Sequence, residues 1–174
     1  EFIQIIFNRK SFLNIMKIID TYSEIKKYFS NMDIFNVFKR NKLILLFLFE
    51  EKIIVPTKSI FNIISSEKYK ENFYPEFFYP EFKSISNTSN DNNSIEYNEF
   101  NQKRKKGEND NKICHFIQKD SINEFIVYLN KANIPINSRV KASIFETNAF
   151  LLKNKNSTLI EYAAFCGSIQ IFKY

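Results

Sequence analysis

Glycine is nearly missing from this chain: two residues, Gly107 and Gly167, among 174. Proline is held to 4 and tryptophan is absent. A sandwich or barrel of short strands needs a turn about every 8–12 residues, and turns draw on glycine and proline. So few turn-formers exclude that architecture and leave helices joined by polar connections. Two isolated glycines also leave no G-x-G-x-x-G and no P-loop to cradle a phosphate. The single histidine, His115, removes most zinc and acid–base schemes. Two cysteines, Cys114 and Cys166, make neither a C-x-x-C nor a disulfide framework. Each falls in an apolar helical pattern, where a buried, reduced thiol of a cytosolic protein is expected. The most apolar run, "LILLFLF" at 43–49, is closed by Glu50, Glu51 and Lys52. It is far short of the roughly 20 residues that span a bilayer, so no membrane segment is expected. Residue 1 is Glu, and no charged segment followed by a cleavage site opens the chain.

Core material is plentiful. Hydrophobic residues make up 44% and aromatics 17%, enough for a buried helical interior. Heavy use of Phe, Ile, Lys and Asn reads as a base-composition bias, which lowers the weight of any single Ile or Asn. The net charge of +6 fits a lysine-rich solvated surface. The sharper alternative is an anionic partner, nucleic acid or membrane.

The apolar spacing predicts an all-α chain. Phe12, Ile15, Met16, Ile19, Tyr22, Ile25, Tyr28 and Phe29 form one stripe of a helix over residues 11–30. Shorter helices follow at 32–39 and 41–52. Pro56 breaks the chain, and Thr57 or Ser59 can cap a further helix to about residue 65. Residues 1–66 therefore read as an N-terminal helical region. Residues 67–112 change character. "FYPEFFYPEF" at 73–82 is a pentapeptide written twice, expected as a loop laying its rings on neighbouring helices, or as an aromatic–proline recognition peptide. Residues 83–112 are so polar that a mobile linker is expected. Inside it Lys103, Arg104, Lys105 and Lys106 form a basic run, read either as solvated charge or as a nucleic-acid or nuclear-import patch.

Apolar spacing resumes at residue 113. Ile113, Phe116 and Ile117 mark one helix, and Ile122, Phe125, Ile126 and Leu129 the next. "SINE" at 121–124 has capping-box spacing, with Ser121 and Glu124 as the pair. Setting Asp120 against Gly167 also aligns Ser121 with Ser168, Ile122 with Ile169 and Phe125 with Phe172, an offset of 47 residues. Two helical hairpins at a fixed offset are a repeat signature.

"STLIEYAAFCGSIQIFKY" at 157–174 resembles an ankyrin repeat. Thr158 matches the threonine that opens the first helix, Ala163 and Ala164 the paired alanines, and Gly167 the glycine between the helices. Leu159 and Glu161 depart from the family's Pro and His, although Thr158 and Glu161 can still form a capping box. Gly167 is expected to take the left-handed conformation, and Ser168 to cap the second helix. Because 47 exceeds the ankyrin period of about 33, an insertion of roughly 14 residues is expected within 140–156. More widely, "IKKYFSNMDIFNVFKRNKLILLFLFEEKII", "ICHFIQKDSINEFIVYLN" and "SIFETNAFLL" precede that ending in order. The whole resembles an uncharacterised family of protist ankyrin-repeat proteins, with a helical N-terminal region of unknown function before the repeats. The resemblance implies degenerate repeats over 113–174, cut inside a repeat at Tyr174. It also implies an exposed apolar edge at Ile169, Ile171, Phe172 and Tyr174, with a frayed last turn.

No chemistry emerges. Cys114 and His115 are adjacent on a helix and so point about 100° apart. Glu50 and Glu51 are likewise neighbours, read as solvated. No catalytic residue, cofactor or metal is expected. Three readings stay open. One is a non-enzymatic scaffold for an unknown protein partner, monomeric and cytoplasmic, contacting it through 137–156 and the helix start at Thr158. The second is a nucleic-acid or anionic-surface binder using 103–106, with nuclear location open to it. The third is a truncated gene remnant, suggested by the absent Met and the cut repeat.

Overall fold

The computed structural model describes residues 27–86 and 94–174. The stripe expected over 11–30 therefore lies almost wholly outside the described residues. Among those described, the regular structure is helical apart from one isolated antiparallel bridge, Arg139 to Thr158. The all-α expectation holds.

The first core is built by α1 (Asn31–Phe38), α2 (Lys42–Glu50), α3 (Lys58–Ile64), α4 (Glu67–Lys70), α5 (Tyr74–Phe77) and α6 (Tyr79–Ser86). Each of the first three starts on a side-chain cap. Ser30 and Asp33 form a reciprocal capping box, the side-chain Oδ1 of Asn41 accepts from the Ile44 N–H, and the Thr57 hydroxyl rather than that of Ser59 accepts from the Ile60 N–H. Phe35, Leu45, Ile60, Phe77, Phe78 and Phe82 are essentially inaccessible. Each such side chain contributes on the order of 1.5–3 kcal/mol by leaving water. Phe49 meets Phe78 and Phe82 edge-on, at centroid distances of 5.7 and 5.5 Å.

The doubled pentapeptide is not a loop. Its prolines end up as the second residues of α5 and α6, where a missing N–H costs nothing because no intrahelical partner awaits it. They do prevent one continuous helix: Phe73 stands at φ 56° before α5, and Phe78 separates α5 from α6. Tyr74, Phe77, Phe78 and Phe82 are core residues, not an exposed recognition peptide.

The expected linker is also corrected. Residues 94–106 form α7 (Ser94–Lys106), and 87–93 lie outside the described residues. Polar composition misled because α7 has little apolar surface of its own. It is anchored by the aliphatic and planar body of Arg104, which is only 2% exposed.

The second core joins α8 (Lys112–Gln118), α9 (Ile122–Ala132), α11 (Leu159–Cys166) and α12 (Ile169–Lys173). Helices α8 and α9 form one hairpin and α11 and α12 another; α8 packs on α11, and α9 on α12. This is a helical-repeat-like arrangement. The irregular strap of residues 140–148 and the short α10 (Ala149–Lys153) connect the two hairpins. At the bridge, Val140 N–H donates to the Ser157 carbonyl at 2.8 Å and Leu159 N–H to the Ser138 carbonyl at 2.9 Å. The strap also reaches the first core, where Ile144 packs.

Candidate functional site

The repeat-signature residues of 158–168 meet in one hairpin. Thr158 Oγ1 accepts from the Glu161 N–H at 3.2 Å, and Glu161 Oε2 accepts from the Thr158 N–H at 2.7 Å. The backbone N–H and hydroxyl of Thr158 hold the Glu161 carboxyl below its ordinary range. Gly167 takes φ 73° and ends α11. Ala163 is fully buried where α11 meets α8, and lack of a larger side chain lets the two backbones approach. Ala164, its neighbour, points about 100° away and is exposed.

Two capping expectations are corrected. Ser121 makes no side-chain cap, so "SINE" is not a capping box here. Ser168 does not cap α12 either. Both serines have ψ near 80° (78° and 81°), which turns the hydroxyl away from the N–H groups it would need. The Ser168 hydroxyl instead donates to the Ile117 carbonyl of the first hairpin. The cap of α12 comes from Asp120, whose carboxylate accepts from the N–H groups of Gln170 and Ile171.

Three large apolar residues of the second hairpin are open to solvent among polar neighbours such as Glu161, Gln170 and Lys173. Ile169 is 61% exposed, and Phe172 and Tyr174 are similarly open. Ile171 was expected on that edge and is instead fully buried. Residues 169 and 172 are three apart and share a face, whereas 171 lies about 200° from 169 and points back toward α9.

The basic run shows no free cluster of charge. Lys103 pairs with Glu99 at 2.9 Å and Asp110 at 3.6 Å, and these carboxylates hold its pKa above the usual value. Arg104 pairs with Glu81 at 2.6 Å, Lys105 with Glu50 at 3.1 Å and Lys106 with Glu108 at 2.9 Å. Arg104 faces inward, its guanidinium carbon 5.3 Å from the Phe77 ring centroid and 5.6 Å from that of Phe100.

One polar residue escaped the sequence reading. Lys42 is completely buried, and its Nζ donates to the carbonyls of Ile144 and Glu146 at 3.0 and 3.2 Å. Burial pushes its pKa down to about 7, against the opposing charges of Glu146 and Glu76. The signal was present: Lys42 stands on the stripe of Leu45, Leu46 and Phe49. It ties the strap to the first core.

Burial pushes the Cys114 thiol up to about 12 and the Cys166 thiol up to about 11, so neither is a ready thiolate at neutral pH. His115 is lowered by partial burial and by Lys119 and Lys106. Among the described residues, no group of three or more His, Cys, Asp and Glu could hold a metal ion. No described helix is long and apolar enough to cross a membrane. The strap, α10 and residues 71–73 enclose a cavity of about 90 Å³, reached by Glu146 and Tyr162. Both of these groups have partners: Glu146 Oε1 accepts from the Asn148 N–H at 2.8 Å, and the Tyr162 hydroxyl from Gln118 Nε2 at 2.8 Å. No family model, curated protein or solved structure matches this chain.

Proposed function

We propose that this chain is a non-enzymatic scaffold of ankyrin type that binds another protein. One observation carries the reading: two helical hairpins stack in a 47-residue register, and the second leaves Ile169 and Phe172 open on one face of α12. Isolated exposed apolar residues are ordinary, but Ile169 and Phe172 share one open face of α12. Such stacks bury each unit's apolar face on its neighbour, and large rings at a stack end are suited to act as binding anchors. The engagement of all four cations of 103–106 weakens the nucleic-acid alternative.

The test is affinity capture on the full chain and on the double variant Ile169→Glu, Phe172→Glu, followed by direct binding with the purified captured protein. A partner that binds the chain directly and loses at least tenfold in affinity on the variant, with helix content unchanged, supports the scaffold. Binding that is indifferent to both substitutions, or that is abolished by 0.5 M salt alone, overturns it in favour of an electrostatic surface.

A further inference from the structure

A groove of about 540 Å³ lies between α7 and the doubled pentapeptide of α5 and α6. That is within the roughly 300–1,000 Å³ of small-ligand sites. The rings of Phe61, Tyr79, Phe82, Tyr97 and Phe100 wall it, and Glu76 and Glu96 bring two carboxylates to it. Its place follows from one face of α7. Tyr97, Phe100 and Arg104 stand at i, i+3 and i+7 and so share that face. Arg104 is held inside by Glu81 at 2.6 Å. Tyr97 stands seven residues earlier, about 10 Å along the helix axis, and is 45% exposed.

The repeated pentapeptide supplies a comparison within the molecule. "FYPEF" is written at 73–77 and again at 78–82. The glutamate of the second copy, Glu81, pairs with the Arg104 guanidinium, whose carbon lies 5.3 and 5.6 Å from the ring centroids of Phe77 and Phe100. The glutamate of the first copy, Glu76, lines the groove and forms no ion pair among the described residues. It acts on the buried Lys42 only through space. Glu96 likewise forms no ion pair among the described residues. Phe100 belongs to both settings: it walls the groove and lies beside Arg104. Carboxylates set among aromatic rings thus already hold one guanidinium in this fold.

We propose that this groove binds an arginine side chain carried on an extended segment of a protein partner. The guanidinium lies against the rings of Tyr97 and Phe100 and pairs with the groove's carboxylates. A planar, weakly hydrated cation suits such a setting better than the compact, strongly hydrated ammonium of lysine. No lysine or arginine lines the groove, so an anionic ligand finds no counter-charge there. The groove is formed by residues 61–100 and is a feature of the middle of the chain, not of its end. Residues 87–93, "NTSNDNN", hold neither a cation nor a large apolar side chain and make a poor occupant. The site uses none of the residues on the open face of α12, so this proposal and the scaffold reading fail separately.

The test is an NMR titration of the isotope-labelled full chain with the peptide acetyl-Ala-Ala-Arg-Ala-Ala-amide. Its counterpart with citrulline in place of arginine has the same shape and no charge. Saturable amide shifts centred on Tyr97 and Phe100 are expected, with affinity reduced about fivefold or more for the citrulline peptide and for Glu96→Gln. Tyr97→Ala is expected to abolish them. Glu96 and Tyr97 are exposed, and unchanged spectra away from the groove show that both variants keep the fold. The absence of shifts in the groove overturns the proposal. So does equal binding of the citrulline peptide, which marks a groove for any apolar segment, or indifference to Glu96→Gln and Glu76→Gln alike. Free arginine binding as tightly as the peptide overturns it in favour of a small-molecule site. Binding that appears only after Arg9→Gln and Lys10→Gln overturns it in favour of the chain's own N-terminal cations.

Discussion

Asp120 accepts the backbone N–H of Gln170 through both of its carboxylate oxygens, each at 3.1 Å, and so caps a helix that lies 50 residues away. The residue that breaks one hairpin thus starts the second helix of the next. Replacing Asp120 with Ala removes the cap but keeps the left-handed φ of 52°. A loss of about 1–2 kcal/mol is expected, measured by urea denaturation of the full chain. Asp120→Asn tolerates the same backbone and is expected to lose less.

Ala163 and Ala164 are adjacent in sequence and opposite in consequence. Ala163→Leu forces three more carbon atoms into the contact of α8 with α11, at a cost of roughly 1–3 kcal/mol. Ala164→Leu adds them to an exposed face and is expected to stay within about 0.5 kcal/mol. Thermal unfolding of the two variants side by side checks the orientation of α11.

Lys42 makes stability pH-dependent. Its pKa falls from the ordinary 10.5 to about 7 on folding, chiefly through burial. Between those values the unfolded chain binds the proton and the folded chain does not. Stability therefore rises with pH across that window, by up to ~1.4 kcal/mol per unit, and the penalty is fully in place below 7. Lys42→Met removes the titrating group. Denaturation midpoints from pH 7 to 10 should climb for the native chain relative to the variant.

Arg104 and Glu81 form a buried pair that is only partly satisfied. Arg104 Nε and Nη1 and Glu81 Oε2 have no hydrogen-bond partner. Removing one member strands the other, so Arg104→Ala is expected to cost about 3–5 kcal/mol. The double variant Arg104→Met, Glu81→Met replaces both with apolar groups of similar length and should recover most of that loss. A double-mutant cycle by chemical denaturation measures the difference.

Local features were legible. The boundaries of α1, α2 and α3 fall within two residues of the expected ones, because caps such as Asn41 and Thr57 act on N–H groups three residues away. The Thr158–Glu161 box and the left-handed Gly167 formed as expected for the same reason. The match of Asp120 to Gly167 was readable because a turn's backbone is set by its own few residues. The segment 94–106 was not, since its helix depends on where Arg104 goes, and that is decided by Phe77 and Glu81. Ser121 and Ser168 had the right residue type at the right spacing, yet Ser168 bonds to Ile117 in another hairpin.

The amino-acid sequence by itself determined a helical protein, its helix starts and the 47-residue correspondence of two hairpins, because periodicity, capping and turn geometry act over a few residues. The tertiary structure alone decided that Lys42 and Arg104 are interior, that Asp120 caps α12, and that Ile171 is covered while Phe172 is open. Each of those depends on which surface a distant segment brings into contact, so it is settled by packing and desolvation across the fold.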